Sequence, residues 1–86
     1  MPEISRFFGI VIAMYYGDHP RPHVHAVYGS HRAQIAIDPP GLLRGWLPPR
    51  ALAMVVEWAA MHQAELLAAW VDCSEDRIPG KIEPLR

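Results

Sequence analysis

Cysteine is almost absent from this 86-residue sequence, which contains only Cys73. An internal disulfide is therefore excluded, and so is a zinc site built from several cysteines. The longest apolar run, residues 7–16, is too short to cross a bilayer as a helix. No positively charged leader precedes an apolar segment with a cleavage site. We therefore expect a protein of the reducing cytoplasm that has no membrane partner.

An excess of charge of one sign is also lacking, since the formal net charge is −1. Residues 1–50 carry five arginines, three acidic residues and four of the five histidines, whereas residues 51–86 carry three basic and six acidic residues. The first half is mildly cationic, but a nucleic-acid surface usually has denser clusters of lysine and arginine. Composition therefore gives only weak support to nucleic acid as a partner.

The hydrophobic fraction of 51% indicates a packed globular domain, and a chain of this length supports one small core. Residues 7–16 are rich in β-branched and aromatic side chains, which predicts a strand buried on both faces and central in its sheet. Residues 38–41 (DPPG) predict a turn, and residues 42–47 predict a short fourth strand.

A β-hairpin is predicted where Gly29 and Ser30 separate two alternating segments, because a glycine-first pair suits a type II′ turn. The turn fixes the register of the two strands. The predicted pairs are Tyr28–His31, Val27–Arg32, Ala26–Ala33, His25–Gln34, Val24–Ile35 and His23–Ala36. His23 and His25 then point away from the main core, because side chains alternate between the faces of a strand.

The second half of the chain has a helical pattern for about two dozen residues from Arg50. His62 and Gln63 interrupt its apolar stripe, so one long helix and a helix pair both remain open. The predicted fold is a single α+β domain over residues 1–86, with a small antiparallel sheet of three to four strands packed on this C-terminal helix or helix pair. Its parts are a sheet at residues 1–47, a helical part at residues 48–74 and an extended tail at residues 75–86.

A second stripe on the helix contains Met54, Trp58 and Met61. The favoured interpretation is that it packs against the C-terminal segment. The alternative is a protein interface, where methionine and aromatic residues are common.

Three histidines lie within seven residues, in the stretch MYYGDHPRPHVHAVYGS. On a strand, His23 and His25 share one face and lie about 6.6–6.8 Å apart at the backbone. Two imidazoles at this spacing can bind zinc or another divalent metal, and His19 or Asp18 from the preceding loop can add a third ligand. The pattern therefore predicts a candidate metal site at His19, His23 and His25.

Two alternatives need no metal. In one, His23 or His25 acts as a general base and Arg32 stabilises an anion, as phosphodiester cleavage requires. The sequence contains no serine-nucleophile motif, glycine-rich phosphate loop or pair of carboxylates to support it. In the other, both histidines are half-exposed sheet residues bonded to Gln34, Asp38 or water. The candidate binding residues are Asp18, His19, His23, His25, Arg32 and Gln34.

Three segments carry a family resemblance: PEISRFFGIVIAMYYGDHPRPHVHAVYG, LPPRALAMVVEWAAMHQAELLAAW and KIEPL. They resemble an uncharacterised bacterial family, domain of unknown function 4160 (DUF4160), and cover nearly the whole chain. The stretch D-H-x-x-P-H-x-H is the most specific part. The resemblance implies a small protein partner encoded by a neighbouring gene, in a toxin–antitoxin-like pair, and it implies no particular activity.

The predicted function is a cytosolic protein-interaction module, as one component of such a pair. The alternative is a hydrolase, metal-dependent or RNase-like, that uses the His19, His23 and His25 cluster. The sequence favours binding over catalysis and leaves a homo-oligomer open.

Overall fold

The computed structural model describes residues 2–17 and 21–86. In this part of the chain, an antiparallel sheet of five strands is followed by two helices, which confirms the predicted α+β class. The expected strand number, three to four, is too low. The elements are β1 (Glu3–Phe7), β2 (Ile10–Ala13), β3 (His23–Tyr28), β4 (His31–Ile37), β5 (Pro40–Gly45), α1 (Pro49–Met61) and α2 (Gln63–Ser74), with the strands in chain order across the sheet.

The additional strand is β1, which precedes the predicted strand at residues 7–16, and that predicted strand is shortened to β2. β1 ends at Phe7, and β2 begins at Ile10. Phe8 has φ 48° and Gly9 has φ 79°, and positive φ at both turn residues is the type I′ pattern found in hairpins. The prediction of a single strand is wrong because an apolar phenylalanine occupies a turn position that asparagine or aspartate usually fills.

The hairpin at Gly29 and Ser30 is confirmed. All six predicted pairs occur, from Tyr28–His31 at the turn to His23–Ala36 at the far end. Gly29 has φ 59°, whereas Ser30 does not have a positive φ, which is the pattern of a type II′ turn. The predicted fourth strand is observed as β5, which begins at Pro40, two residues earlier than expected.

The helices cover one face of the sheet, and buried apolar side chains from both layers form one cluster. Full burial of each large apolar side chain contributes about 1.5–3 kcal/mol, so this cluster dominates the stability of the fold. Its largest fully buried members include Trp58, Ile4, Ile10, Ile12, Met14, Ile35, Ile37, Leu47 and Leu66.

The helical part is a helix pair, because α1 ends at Met61 and α2 begins at Gln63. His62 lies between them with φ −119° and ψ 29°, which interrupts the helical backbone. The Gln63 side-chain amide donates to the carbonyl of Ile37 at 2.9 Å and so joins the start of α2 to the end of β4. Neither helix in residues 2–17 and 21–86 is long and apolar enough to cross a membrane.

The C-terminal segment, residues 75–86, contains no further helix or strand. It runs beside β1, where the Ile82 N–H donates to the carbonyl of Ile4 at 2.8 Å. The Trp58 indole N–H donates to the carbonyl of Glu83 at 2.8 Å. Trp58 is therefore a core residue that packs against this segment, as the favoured interpretation of the second stripe expects, whereas Met61 is exposed.

Candidate functional site

The sheet face opposite the hydrophobic cluster carries a row of polar side chains, and we call it the outer face. His25 on β3 pairs with Gln34 on β4, and Gln34 pairs with Arg44 on β5. Directly paired residues of antiparallel strands point to the same face. Arg32 lies two residues from Gln34 and therefore joins the same face. The structure thus brings together three of the predicted binding residues, His25, Arg32 and Gln34.

These side chains line a groove with a volume of about 280 Å³ on the outer face. Its polar and aromatic lining consists of Tyr15, His25, Arg32, Gln34 and Arg44. No carboxylate lines the groove among the residues that the structure describes. The groove therefore offers hydrogen-bond donors and positive charge to an anionic ligand.

Tyr15 is a groove residue that the sequence pattern did not indicate. Its ring stacks on the imidazole of His25, with ring centroids 4.0 Å apart and an angle of 23° between the planes. It follows β2 closely in the chain, and β2 pairs with β3 through Ala13 and His25. This stack holds the imidazole of His25 at the groove.

Arg44 is the second groove residue that the sequence pattern did not indicate. Neither Arg32 nor Arg44 makes a salt bridge to another residue of the described chain. Both arginines are exposed. Since β4 and β5 place Arg32 and Arg44 diagonally across a strand pair, their backbones lie about 7–8 Å apart. The groove therefore holds two neighbouring positive charges that no carboxylate of the described chain neutralises.

His23 is buried, which corrects the expectation that it is half-exposed. Its relative exposure is 5%, because the ring packs between His25, at 5.0 Å, and Trp70 of α2, at 5.3 Å between centroids. Its Nδ1 lies 2.6 Å from the carbonyl oxygen of Arg21. A carbonyl only accepts, so Nδ1 carries the proton of this hydrogen bond. His23 supports the ring of His25 from the side instead of lining the groove.

The structure describes only two of the three predicted metal ligands, His23 and His25. The two rings of His23 and His25 are adjacent, as the metal hypothesis requires, and the hydrogen bond to Arg21 occupies Nδ1 of His23, so that a metal ion would have to bind its Nε2. Asp18 and His19 lie outside the described residues. Within residues 2–17 and 21–86, no group of three histidine, cysteine or acidic side chains is arranged to hold a metal ion.

Three exposed aromatic side chains and a half-buried histidine form a second surface at the turn end of the sheet, and we call Phe8, Tyr28, His31 and Trp46 the aromatic strip. Phe8 and Trp46 have relative exposures of 61% and 55%. The Tyr28 ring lies over Gly9, next to Phe8. Tyr28 pairs with His31 across the hairpin, and His31 contacts Trp46 edge-on with ring centroids 4.8 Å apart.

The remaining histidine and the thiol have structural roles. His62 separates the two helices, and its Nδ1 lies 2.7 Å from Oε1 of Glu65. Cys73 is buried in α2, and burial, together with the charge of Asp72, raises the pKa of its thiol. A buried thiol with a raised pKa is unreactive, so Cys73 is a packing residue.

Comparison with known proteins gives one match. The family model described as Domain of unknown function (DUF4160) matches residues 9–71, which include β2 to β5, α1 and most of α2. Neither a curated protein nor a solved structure matches the chain. The matched region contains the lining of the groove and most of the aromatic strip. The chain belongs to the DUF4160 family.

Proposed function

We propose that this protein is a cytoplasmic protein-interaction module that binds a partner protein through the aromatic strip. In this proposal the partner is the small protein encoded by a neighbouring gene, and the two chains form a toxin–antitoxin-like pair. The observation that carries the proposal is the exposure of Phe8 and Trp46 together at one end of the sheet.

The composition of the aromatic strip supports a protein partner. Phenylalanine, tyrosine and tryptophan are enriched at the centres of protein interfaces, where each ring buries a large area and loses little side-chain entropy. Folding alone does not require Phe8 and Trp46 to be exposed together, and exposed apolar patches on small proteins commonly mark binding sites. The edge-on contact between His31 and Trp46 fixes the indole before binding, which lowers the entropy cost of association.

Coexpression with the neighbouring gene product tests the proposal. We expect the two chains to elute together from a size-exclusion column and Trp46→Ala to weaken the complex by about thirtyfold or more, as for an interface hot spot. Met61→Ala is the matched control, because Met61 is equally exposed but lies on α1. In cells, one of the two chains alone should arrest growth and coexpression should relieve the arrest.

Two results would contradict this assignment. If the two chains elute separately at all concentrations, the proposed partner is wrong. If Met61→Ala weakens the complex as strongly as Trp46→Ala, the aromatic strip is not the binding surface. Circular dichroism of both variants verifies that the fold is retained.

A second candidate function, a hydrolase, is supported by the presence of His25 and Arg32 in one groove. In an RNase-like form, His25 accepts a proton from the nucleophile and Arg32 stabilises the negative charge that develops on the phosphate. In a metal-dependent form, His23 and His25 bind a divalent ion such as zinc together with His19 or Asp18. Metal analysis of the purified wild-type protein and of His25→Ala separates the two forms. Only in the metal-dependent form does the wild-type protein contain a bound ion that His25→Ala lacks.

A further inference from the structure

We infer that the groove on the outer face binds a single-stranded nucleic acid, with Arg32 and Arg44 on its phosphates and the Tyr15–His25 pair beneath a base. This inference is independent of the protein-interaction proposal, which concerns the aromatic strip, and it does not require cleavage. It rests on the charge, the stacking and the size of the groove.

The charge of the groove favours a ligand with several phosphates. Two guanidinium groups on neighbouring strands repel one another unless an anion lies between or across them. Carboxylates neutralise three other arginines, since Arg6 pairs with Glu3, Arg77 with Asp72 and Glu75, and Arg86 with Glu83, whereas Arg21 and Arg50 have no salt bridge within the described chain. Arg32 and Arg44 have no such partner in the described chain, and arginine binds phosphate oxygens with two parallel hydrogen bonds.

The aromatic pair in the groove favours a nucleic acid over an acidic peptide. Proteins that bind single strands combine a cationic groove with aromatic rings on which bases stack. Tyr15 and His25, both half-buried, stack on each other and line the groove beside the two arginines. Gln34 lies on the same face, next to both Arg32 and Arg44. Its side-chain amide can both donate a hydrogen bond to the polar edge of a base and accept one from it. An acidic peptide would use the arginines and the amide, but its carboxylate side chains would not stack on the rings.

The size and charge of the surface favour a single strand over a duplex. A volume of about 280 Å³ fits a base and its phosphate, and the two arginines of the groove lie on only two strands, β4 and β5. The chain as a whole has a net charge of −1, so it lacks the extended basic surface with which proteins bind double helices. We therefore expect a short site with moderate affinity that falls steeply as salt rises.

Fluorescence anisotropy with labelled RNA and DNA strands of the same sequence, about ten nucleotides long, tests the inference. At about 50 mM salt the wild-type protein should bind, and Arg32→Ala and Arg44→Ala should each weaken binding about tenfold, as expected when one charge-assisted hydrogen bond is removed. The plot of log affinity against log salt should become less steep by about 0.7 for each phosphate that the variant no longer binds. Arg86→Ala is the matched control, since it removes an exposed arginine from the C-terminal segment.

The outcomes are distinct. Tighter binding of the RNA strand identifies RNA as the ligand. Equal or tighter binding of the DNA strand shows that the groove recognises only the phosphates and bases and not the sugar hydroxyl of RNA. Absence of binding at low salt, or an equal loss in Arg86→Ala, overturns the inference. Complete displacement of the strand by polyglutamate at equal charge also overturns it, in favour of an acidic protein. A denaturing gel of the recovered strand reports cleavage separately from binding.

Discussion

Trp58→Ala is expected to lower the free energy of unfolding by about 3–5 kcal/mol, the usual cost of truncating a buried tryptophan. Trp58 is fully buried, and its ring lies 5.3 Å from that of Phe7. Its N–H bond to Glu83 also joins α1 to the C-terminal segment. The variant therefore leaves a cavity and an unpaired carbonyl, and it releases the segment that covers the edge of β1.

Urea unfolding measures this loss, and the chain provides its own control. Trp46→Ala removes the same side chain from an exposed position, where substitutions usually change stability by less than about 0.5 kcal/mol. Trp58→Phe separates the two effects, since it keeps most of the ring but loses the hydrogen bond to Glu83. Equal stability of Trp58→Ala and Trp46→Ala would show that the C-terminal segment does not pack on α1.

Gly45→Ala is expected to cost about 2–4 kcal/mol, because a left-handed backbone strains an alanine by about 1–3 kcal/mol and a steric clash adds to it. Gly45 has φ 86°, and a Cβ atom there would lie 2.3 Å from the carbonyl oxygen of Arg32 and 2.9 Å from Cα of Ala33. Both contacts are with backbone of the neighbouring strand, so no side-chain rotation relieves them. β4 and β5 must separate to admit the methyl group.

Thermal or urea unfolding of Gly45→Ala checks this prediction, with Gly41→Ala as the control on the same strand. Gly41 does not have a positive φ, and a Cβ atom there would have no neighbour within 4 Å among the described residues. The Gly45 variant should also weaken nucleic-acid binding, because it displaces Arg44. A Gly45→Ala protein that is as stable as Gly41→Ala would contradict the pairing of β4 with β5.

The arrangement around β3 could be predicted because one short motif determines it. Gly29 and Ser30 fix the turn, the turn fixes the register, and the register places His25 beside Gln34 and near Arg32. The helix break could also be located, because His62 and Gln63 interrupt the apolar stripe that both helices otherwise share.

Arg44 could not be placed by counting residues from a turn. The two-residue turn at Asp38 and Pro39 pairs Pro40 with Ile37, and continued counting would pair Gln34 with Leu43 and turn Arg44 toward the helices. A bulge between Gln34 and Ile35 shifts the register by one residue and pairs Gln34 with Arg44 instead. The bulge therefore adds the second arginine to the groove, and a bulge has no reliable signal in one sequence.

The burial of His23 depends on tertiary packing that local pattern does not contain. Its pairing with Ala36 was predicted correctly, but Trp70 of α2 packs against the imidazole and buries it. The turn between β1 and β2 could not be predicted, because only Gly9 marks it inside a continuous apolar run.

The assignment of two surfaces to two ligands is tested most directly by nitrogen–proton correlation NMR of the wild-type protein, titrated separately with the partner protein and with the single strand. We predict that the strand shifts the signals of Arg32, Gln34 and Arg44 and leaves the indole signal of Trp46 unchanged. The partner should shift the Trp46 indole signal first. Shifts from both ligands at the same residues, or shifts confined to the helices, would contradict the assignment.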